Sequence, residues 1–316
     1  MTTIDCRSRE SIKLIDNFKK RRCDASVVPK LRSTLFSAAA ILLRQSPAAF
    51  AQESAPAYLA IVTGIGTTPL PGVGQALNEI PAPAQTATGT DIDRSLAPDL
   101  TAFMSRNLAG VYINNVQNNP FQPDVSYRGY TKKPLLGTPQ GLSISMDGVR
   151  LNQAFGDVVS WNLIPRAAIG SLTLMPGSNP LFGLNTLSGA LLIQTRDGRT
   201  SSGIASQANY GSNNRRAIEF EHGGSNDKGL NWFVIGNRFS EGGWRDSSPS
   251  DVRQLFGKLG WADAKTDFSP PVGVADNRLT GNGLQEQRML SRNYRSIYRK
   301  ADVTVNKSAR LDAPKM

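Results

Sequence analysis

Residues 141–152 read GLSISMDGVRLN. Leu142, Ile144 and Met146 alternate with Ser143 and Ser145, the run stops on Asp147-Gly148, and Val149, Arg150 and Leu151 restart at once. Period-two alternation ended by Asp-Gly marks a strand entering a tight turn, because glycine takes positive φ freely and aspartate tolerates it. The stretch is therefore a strand and turn with an acidic tip, and the flanking sequence decides what kind of sheet it joins.

Upstream, residues 85–87 read as a strand. Asp99 behind Pro98 then opens a helix in which Leu100, Phe103, Met104 and Leu108 recur at helical spacing and so face a core. A strand restarts at 111–113, and 114–124 is a polar loop with two prolines. Residues 125–130 (VSYRGY) read as one short strand carrying Arg128 directly before Gly129. Downstream, residues 161–165 lead into an alternating run at 169–174 that ends on Pro176-Gly177, and 188–193 is a small-residue apolar strand. Helix and strand are mixed through this part, which makes it α+β.

From residue 200 the texture changes. Residues 204–210, 217–222, 230–239 and 253–261 alternate, parted by Gly/Ser/Asn/Asp segments such as 223–227. Regular strands with turn signals and no helix between them make an antiparallel sheet. Short and long connections alternate, as they do at the two rims of a membrane β-barrel; a soluble antiparallel sheet is the other reading of this texture.

Composition narrows the chemistry. The 316 residues are 39% hydrophobic, enough for a core, and the formal charge is +11. That charge sits at the ends: residues 52–268 hold 17 basic and 17 acidic residues, so no basic stripe for nucleic acid runs through the body. Cys6 and Cys23 are the only thiols and both precede residue 52, so the folded part has no disulfide framework. With His222 as the only histidine, a catalytic triad or a histidine metal cage has no conventional source, and His222 reads as a strand residue. No cofactor and no metal are expected.

No apolar run reaches 18 residues, so no transmembrane helix is expected. Lys30 and Arg32 precede an apolar stretch, TLFSAAAILL at 34–43, and Ala49-Phe50-Ala51 supplies small residues at the positions signal peptidase reads. Residues 1–51 thus read as a secretory leader with an over-long n-region, which initiation nearer Val27 or Leu31 would shorten.

The order of these motifs resembles that of the TonB-dependent outer-membrane receptors over roughly residues 57–268. An Arg-Gly step stands at Arg128-Gly129 and a DG strand and turn at Asp147-Gly148. Then come a Pro-Gly turn at Pro176-Gly177, a Phe-Gly step at Gly183, and a small-residue strand from Gly189. The resemblance implies an α+β plug domain, 75–198, followed by antiparallel β-strands of an incomplete transmembrane β-barrel, 199–268. It further implies that Leu59, Ile61, Val62, Thr63 and Gly64, in the coupling segment 52–74, are a TonB-box-like strand for an energy-transducing protein of the inner membrane. A short extended apolar segment of this kind can add to a partner's sheet edge. The other implied partners are outer-membrane lipid and a solute of unknown identity, such as a siderophore or metal complex, with localisation in the outer membrane of a Gram-negative bacterium.

Two departures from the family pattern stand out. The charged residues that family plugs carry on the run at 169–177 are replaced by Ser171 and Thr173, which leaves the plug's anchoring to the barrel without an assigned residue. The 116 residues after Thr200 fall short of a 22-stranded barrel, and from Ser269 the sequence reads as an atypical basic tail, with Pro270-Pro271 interrupting what should be a strand. The expectation is a receptor fragment. A periplasmic interaction module that binds without transport is the alternative. An enzyme using Asp147 and Asp157 as an acid/base pair is the weakest reading, because a turn tip and a loop give no cause for a shifted pKa.

Overall fold

The computed structural model of the chain describes residues 64–66, 74–76, 79–134, 140–263, 266–298 and 300–312. The secretory leader, and Leu59, Ile61, Val62 and Thr63 of the coupling stretch, lie outside the described residues. Gly64 opens β1 (Gly64–Gly66), which pairs antiparallel with β2 (Gly74–Ala76).

The N-terminal body begins at β3 (Gln85–Thr88) and passes into α1 (Gly89–Arg94). Thr88 caps that helix with a capping box: its hydroxyl accepts from the Asp91 amide while the Asp91 carboxylate accepts from the Thr88 amide. The Thr88 hydroxyl, 2.7 Å from the Asp91 carboxylate, and then the Thr88 amide hold the Asp91 carboxyl below its ordinary value. The second helix, α2 (Leu100–Asn107), has Asp99 as its N-cap, and Leu100, Phe103 and Met104 are buried as their spacing requires. Next come β4 (Val111–Asn114), β5 (Asp124–Tyr127) and β6 (Tyr130–Lys132), a three-stranded antiparallel sheet. Residues 125–130 are thus not one strand. Arg128 (φ 49°) and Gly129 (φ 83°) both take positive φ and form the two-residue turn between β5 and β6.

The quoted stretch is β7 (Leu142–Met146) and β8 (Val149–Arg150), joined by Asp147 (φ 48°) and Gly148 (φ 82°). With β9 (Ile169–Pro176) and β10 (Gly189–Thr195) they complete a sheet of order β3-β9-β10-β7-β8, in which only β10 and β7 run parallel. Every residue of β7 is buried, serines included. The alternation marks two covered faces: Ile144 joins the main core, and Ser143 donates to the Phe182 carbonyl at 2.7 Å beneath the small cluster Met175, Phe182, Ala190 and Leu192. Gly189 (φ 144°) sits where an added Cβ would lie 2.1 Å from the Met175 carbonyl oxygen, so only glycine lets β10 approach β9.

The C-terminal sheet holds β11 (Gly203–Gly211), β12 (Arg215–Ser225), β13 (Leu230–Glu241), β14 (Ser250–Ala262), β16 (Pro271–Gly281) and β17 (Asp302–Leu311) in that order, all antiparallel. The two-residue β15 (Asp267–Phe268) lies beside β14. The expected basic tail is corrected here. Pro271 is the first residue of β16, the position where a strand tolerates proline, and two full strands follow Ser269. Connections at one rim are 226–229 and 263–270, the latter carrying β15. Those at the other are the short 212–214, then 242–249 and 282–301, the last carrying α3 (Gln287–Arg292). Phe233, Ile235 and Phe256 face inward and share one core with Ile144, Trp161 and Leu191 of the N-terminal body. Ile218, Phe220, Val234, Leu255 and Val274 face outward and are exposed.

Candidate functional site

The N-terminal body meets the inner face of the C-terminal sheet through a buried network of charges. Pro165 ends an extended stretch and starts the single 3-10 turn Arg166–Ala168, which aims Arg166 at β12. Arg166 Nη2 donates to Glu219 Oε2 at 2.5 Å and to Gln207 Oε1 at 2.8 Å. Arg196, just past β10, donates through Nε to the Ile169 carbonyl at 3.1 Å and through Nη1 to Glu221 at 3.2 Å. Asp93 of α1 takes Arg196 Nη2 and stands 3.8 Å from Arg166 Nη1, so one carboxylate spans both arginines. Arg166 and Glu219 are 5% and 8% exposed, so bulk water is kept from the pair.

A second tie lies at the Asp147 turn. Its carboxylate accepts from the Thr195 amide at 2.8 Å and the Thr195 hydroxyl at 2.6 Å, and Lys258 Nζ of β14 lies 3.0 Å away. Between the two ties, Gln254 donates to the Asn162 carbonyl at 2.5 Å. Beside it a cavity of about 30 Å³ is lined by Trp161, Arg166 and Asn237, whose Nε1, Nε and Oδ1 have no protein partner. Its size and polarity suit bound water.

A third charged cluster lies inside the N-terminal body. Lys132 is fully buried and donates to the Asp157 carboxylate at 2.7 Å, which also takes Arg150 at 2.7 Å and Asn185 at 3.0 Å. Burial pushes the Lys132 ammonium down to about 8, with Asp157 opposing the shift. Burial alone would raise Asp157, but its bonds from Lys132 and Asn185 prevail and hold it below the usual carboxylate range. Asp147 and Asp157 therefore sit in separate ion clusters and do not form an acid/base pair.

At the long-loop rim, a pocket of about 250 Å³ is bounded by Arg106, Asn115, Asn118, Glu241 and Trp244. Asn118 (φ 66°) is buried and its Nδ2 has no partner. Among the described residues no group of three or more metal-ligating side chains occurs.

Residues 76–190 match the family model described as the TonB-dependent Receptor Plug Domain. This segment is similar to the plug of TonB-dependent receptors. The strands that follow, an open antiparallel sheet among the described residues, form the wall against which this segment packs. The fold is shared with the ferric citrate transporter FecA in the unliganded form (TM-score 0.55, 14% identity, 69% of this chain and 34% of that one). It is shared too with the ferripyoverdine receptor of the outer membrane of Pseudomonas aeruginosa bound to ferripyoverdine (0.54, 13%, 72% and 31%). A third example is BauA, the ferric preacinetobactin receptor from Acinetobacter baumannii (0.53, 14%, 68% and 31%). The chain thus spans about a third of the length of these receptors. No curated protein matches it.

Of the plug motif residues read from the sequence, Asp147 is the one with a side-chain contact across the seam to the wall among the described residues. Arg128 and Gly129 form an exposed turn, with Arg128 5.5 Å over the Tyr127 ring. Gly177 (φ 91°) ends β9 after Pro176, and Gly183 (φ 89°) lies against the Arg150 side chain. The seam residues that were missed are Asp93, Arg166, Arg196, Glu219, Glu221 and Lys258. A signal was present in β12, where Glu219 and Glu221 alternate with exposed Ile218 and Phe220. That pattern is inverted relative to a soluble sheet and places charge against the plug.

Proposed function

We propose that the chain is the plug and first wall strands of a TonB-dependent outer-membrane receptor that takes up a scarce solute such as a siderophore or metal complex. The observation that carries this reading is the sidedness of the C-terminal sheet. Its charged inner face holds the plug through Glu219, Glu221 and Lys258, while its outer face presents Ile218, Phe220, Val234, Leu255 and Val274. A plug held on a polar inner face and an apolar outer face are what a lipid-facing barrel wall requires. In this reading Leu59, Ile61, Val62, Thr63 and Gly64 couple the plug to an energy-transducing inner-membrane protein by strand addition. The rim pocket at Arg106, Asn118 and Trp244 receives the solute.

The test is expression of the chain, exported, in a Gram-negative strain stripped of its own ferric-chelate receptors. The expected result is retention in the outer-membrane fraction and ferric-chelate binding or uptake that depends on the energy transducer. Recovery only in the soluble periplasmic fraction, without chelate binding, would replace this reading with that of a plug-like binding module.

A further inference from the structure

The outer face of the wall carries a feature that solute uptake does not use. In the β13–β14 register Arg238 stands directly opposite Arg253, and both are exposed. Neither has an ion pair or side-chain hydrogen bond among the described residues. Like charges directly opposite across a ladder repel one another, and an anion between the two guanidinium groups relieves that repulsion through charge-assisted bonds. Asp276 faces Arg253 from β16 and Lys307 faces Asp276 from β17, so this row of the outer face carries three cations and one anion.

The height of the row on the wall identifies the anion. Moving from Arg238 toward the rim of 226–229, the outward positions of β13 and β14 become apolar: Leu255, Val234, Leu259 and Trp232, ending on Leu230 and Trp261. The eight steps from Leu230 to Arg238 rise about 26 Å along the strand, or about 20 Å of height at a usual barrel tilt, against an apolar band about 25 Å tall. Arginine stems reach the remaining few ångströms and place their heads at the membrane interface. The rim above them carries the longest connection, 282–301, and the longer connections of such barrels lie on the extracellular side.

We propose that Arg238 and Arg253 form a clamp for the phosphate of an outer-leaflet lipid headgroup. This inference rests on the outer-membrane reading above. The planar guanidinium forks suit bidentate capture of one phosphate, and Lys307 adds charge in the same row.

The test is co-flotation of the full chain with three kinds of vesicle: phosphatidylcholine alone, phosphatidylcholine with diphosphoryl lipid A, and phosphatidylcholine with the dephosphorylated glycolipid. The expected result is tightest association with the phosphorylated vesicles. R238Q/R253Q should lose roughly 30-fold of that preference, the factor for two cations at an anionic surface. R238K/R253K, which keeps the charge and loses the forks, should fall between wild type and the glutamine pair, and K228Q at the opposite rim should change nothing. Equal association with phosphorylated and dephosphorylated vesicles overturns the clamp and leaves the outer-membrane reading standing, as does an equal loss in K228Q. Failure to bind any vesicle overturns both. If the glutamine pair does not fold, the wild-type comparison across the three vesicles decides.

Discussion

The Asp147 carboxylate at the tip of the β7–β8 turn lies 3.0 Å from Lys258 Nζ on the wall strand β14. One residue thus makes the turn and ties it down. Asn keeps the tolerance for positive φ but lacks the charge; Ala lacks both. D147N is expected to weaken the plug–wall seam less than D147A. K258M, which strips the ammonium from a part-buried carboxylate, should cost about 3 kcal/mol, the low end for breaking such a pair from one side. Urea midpoints of the three variants would check this order, and K258M matching wild type would refute it.

Arg166 depends on Glu219 more than on Asp93. Glu219 approaches it to 2.5 Å and is buried, whereas Asp93 is 3.8 Å away and half exposed. E219A is therefore expected to cost about 3 kcal/mol or more, because it leaves a buried guanidinium short of its counterion. R166M/E219A should cost less than the two single changes summed, and a double-mutant cycle measures the difference.

Stability should respond to pH at two ends through one cluster. Asp157 ionises below 3.8 in the folded plug, so its contribution is complete above that value and is lost as pH falls through its lower folded pKa. Lys132 acts in the opposite direction. Folded, it releases its proton near 8, and unfolded near 10.5, so between these values the unfolded chain holds the extra proton and stability rises with pH. The rise is on the order of 3 kcal/mol and should vanish in K132M. Denaturation at pH 7.5, 9 and 10.5 would read it, and a flat wild-type profile would count against the assignment.

Gly189→Ala should be among the most damaging single changes in the plug. Its Cβ would meet the Met175 carbonyl oxygen at 2.1 Å, at a φ of 144° that alanine rarely adopts. A loss of at least about 2 kcal/mol is expected, with faster amide exchange along β9 and β10. Gly177→Ala, which meets nothing within 4 Å, tests the φ contribution alone and should cost less.

Local chemistry was legible in the sequence and long-range pairing was not. Asp147-Gly148 announced its turn because the φ requirement lies within two residues. Asp99 announced its helix because a cap acts within three. Arg128-Gly129 carried the same turn signal but was read through as a strand, since aromatic and β-branched neighbours continued on both sides. The anchoring of the plug could not be read from 169–177, because its charges had moved elsewhere. Asp93 and Arg196 are 103 residues apart, and Arg166 and Glu219 are 53 apart. Pro271 misled for a positional reason: proline breaks the interior of a central strand but is tolerated as its first residue.

The position of β3 governs how the plug would yield to a pull. It is the marginal strand of its sheet, with β9 its only neighbour, and Gln85 is fastened to Ala109 by two side-chain bonds of 2.6 and 3.0 Å. Behind it in the chain come the Thr88–Asp91 cap and then Asp93. Tension drawn along the chain from ahead of Gln85 meets these restraints in series. Each has to withstand the load alone, and Arg166 and Arg196 feel it only after the earlier ones have failed. A pull from residue 79 should therefore register as successive small extensions, with the wall contacts last to part.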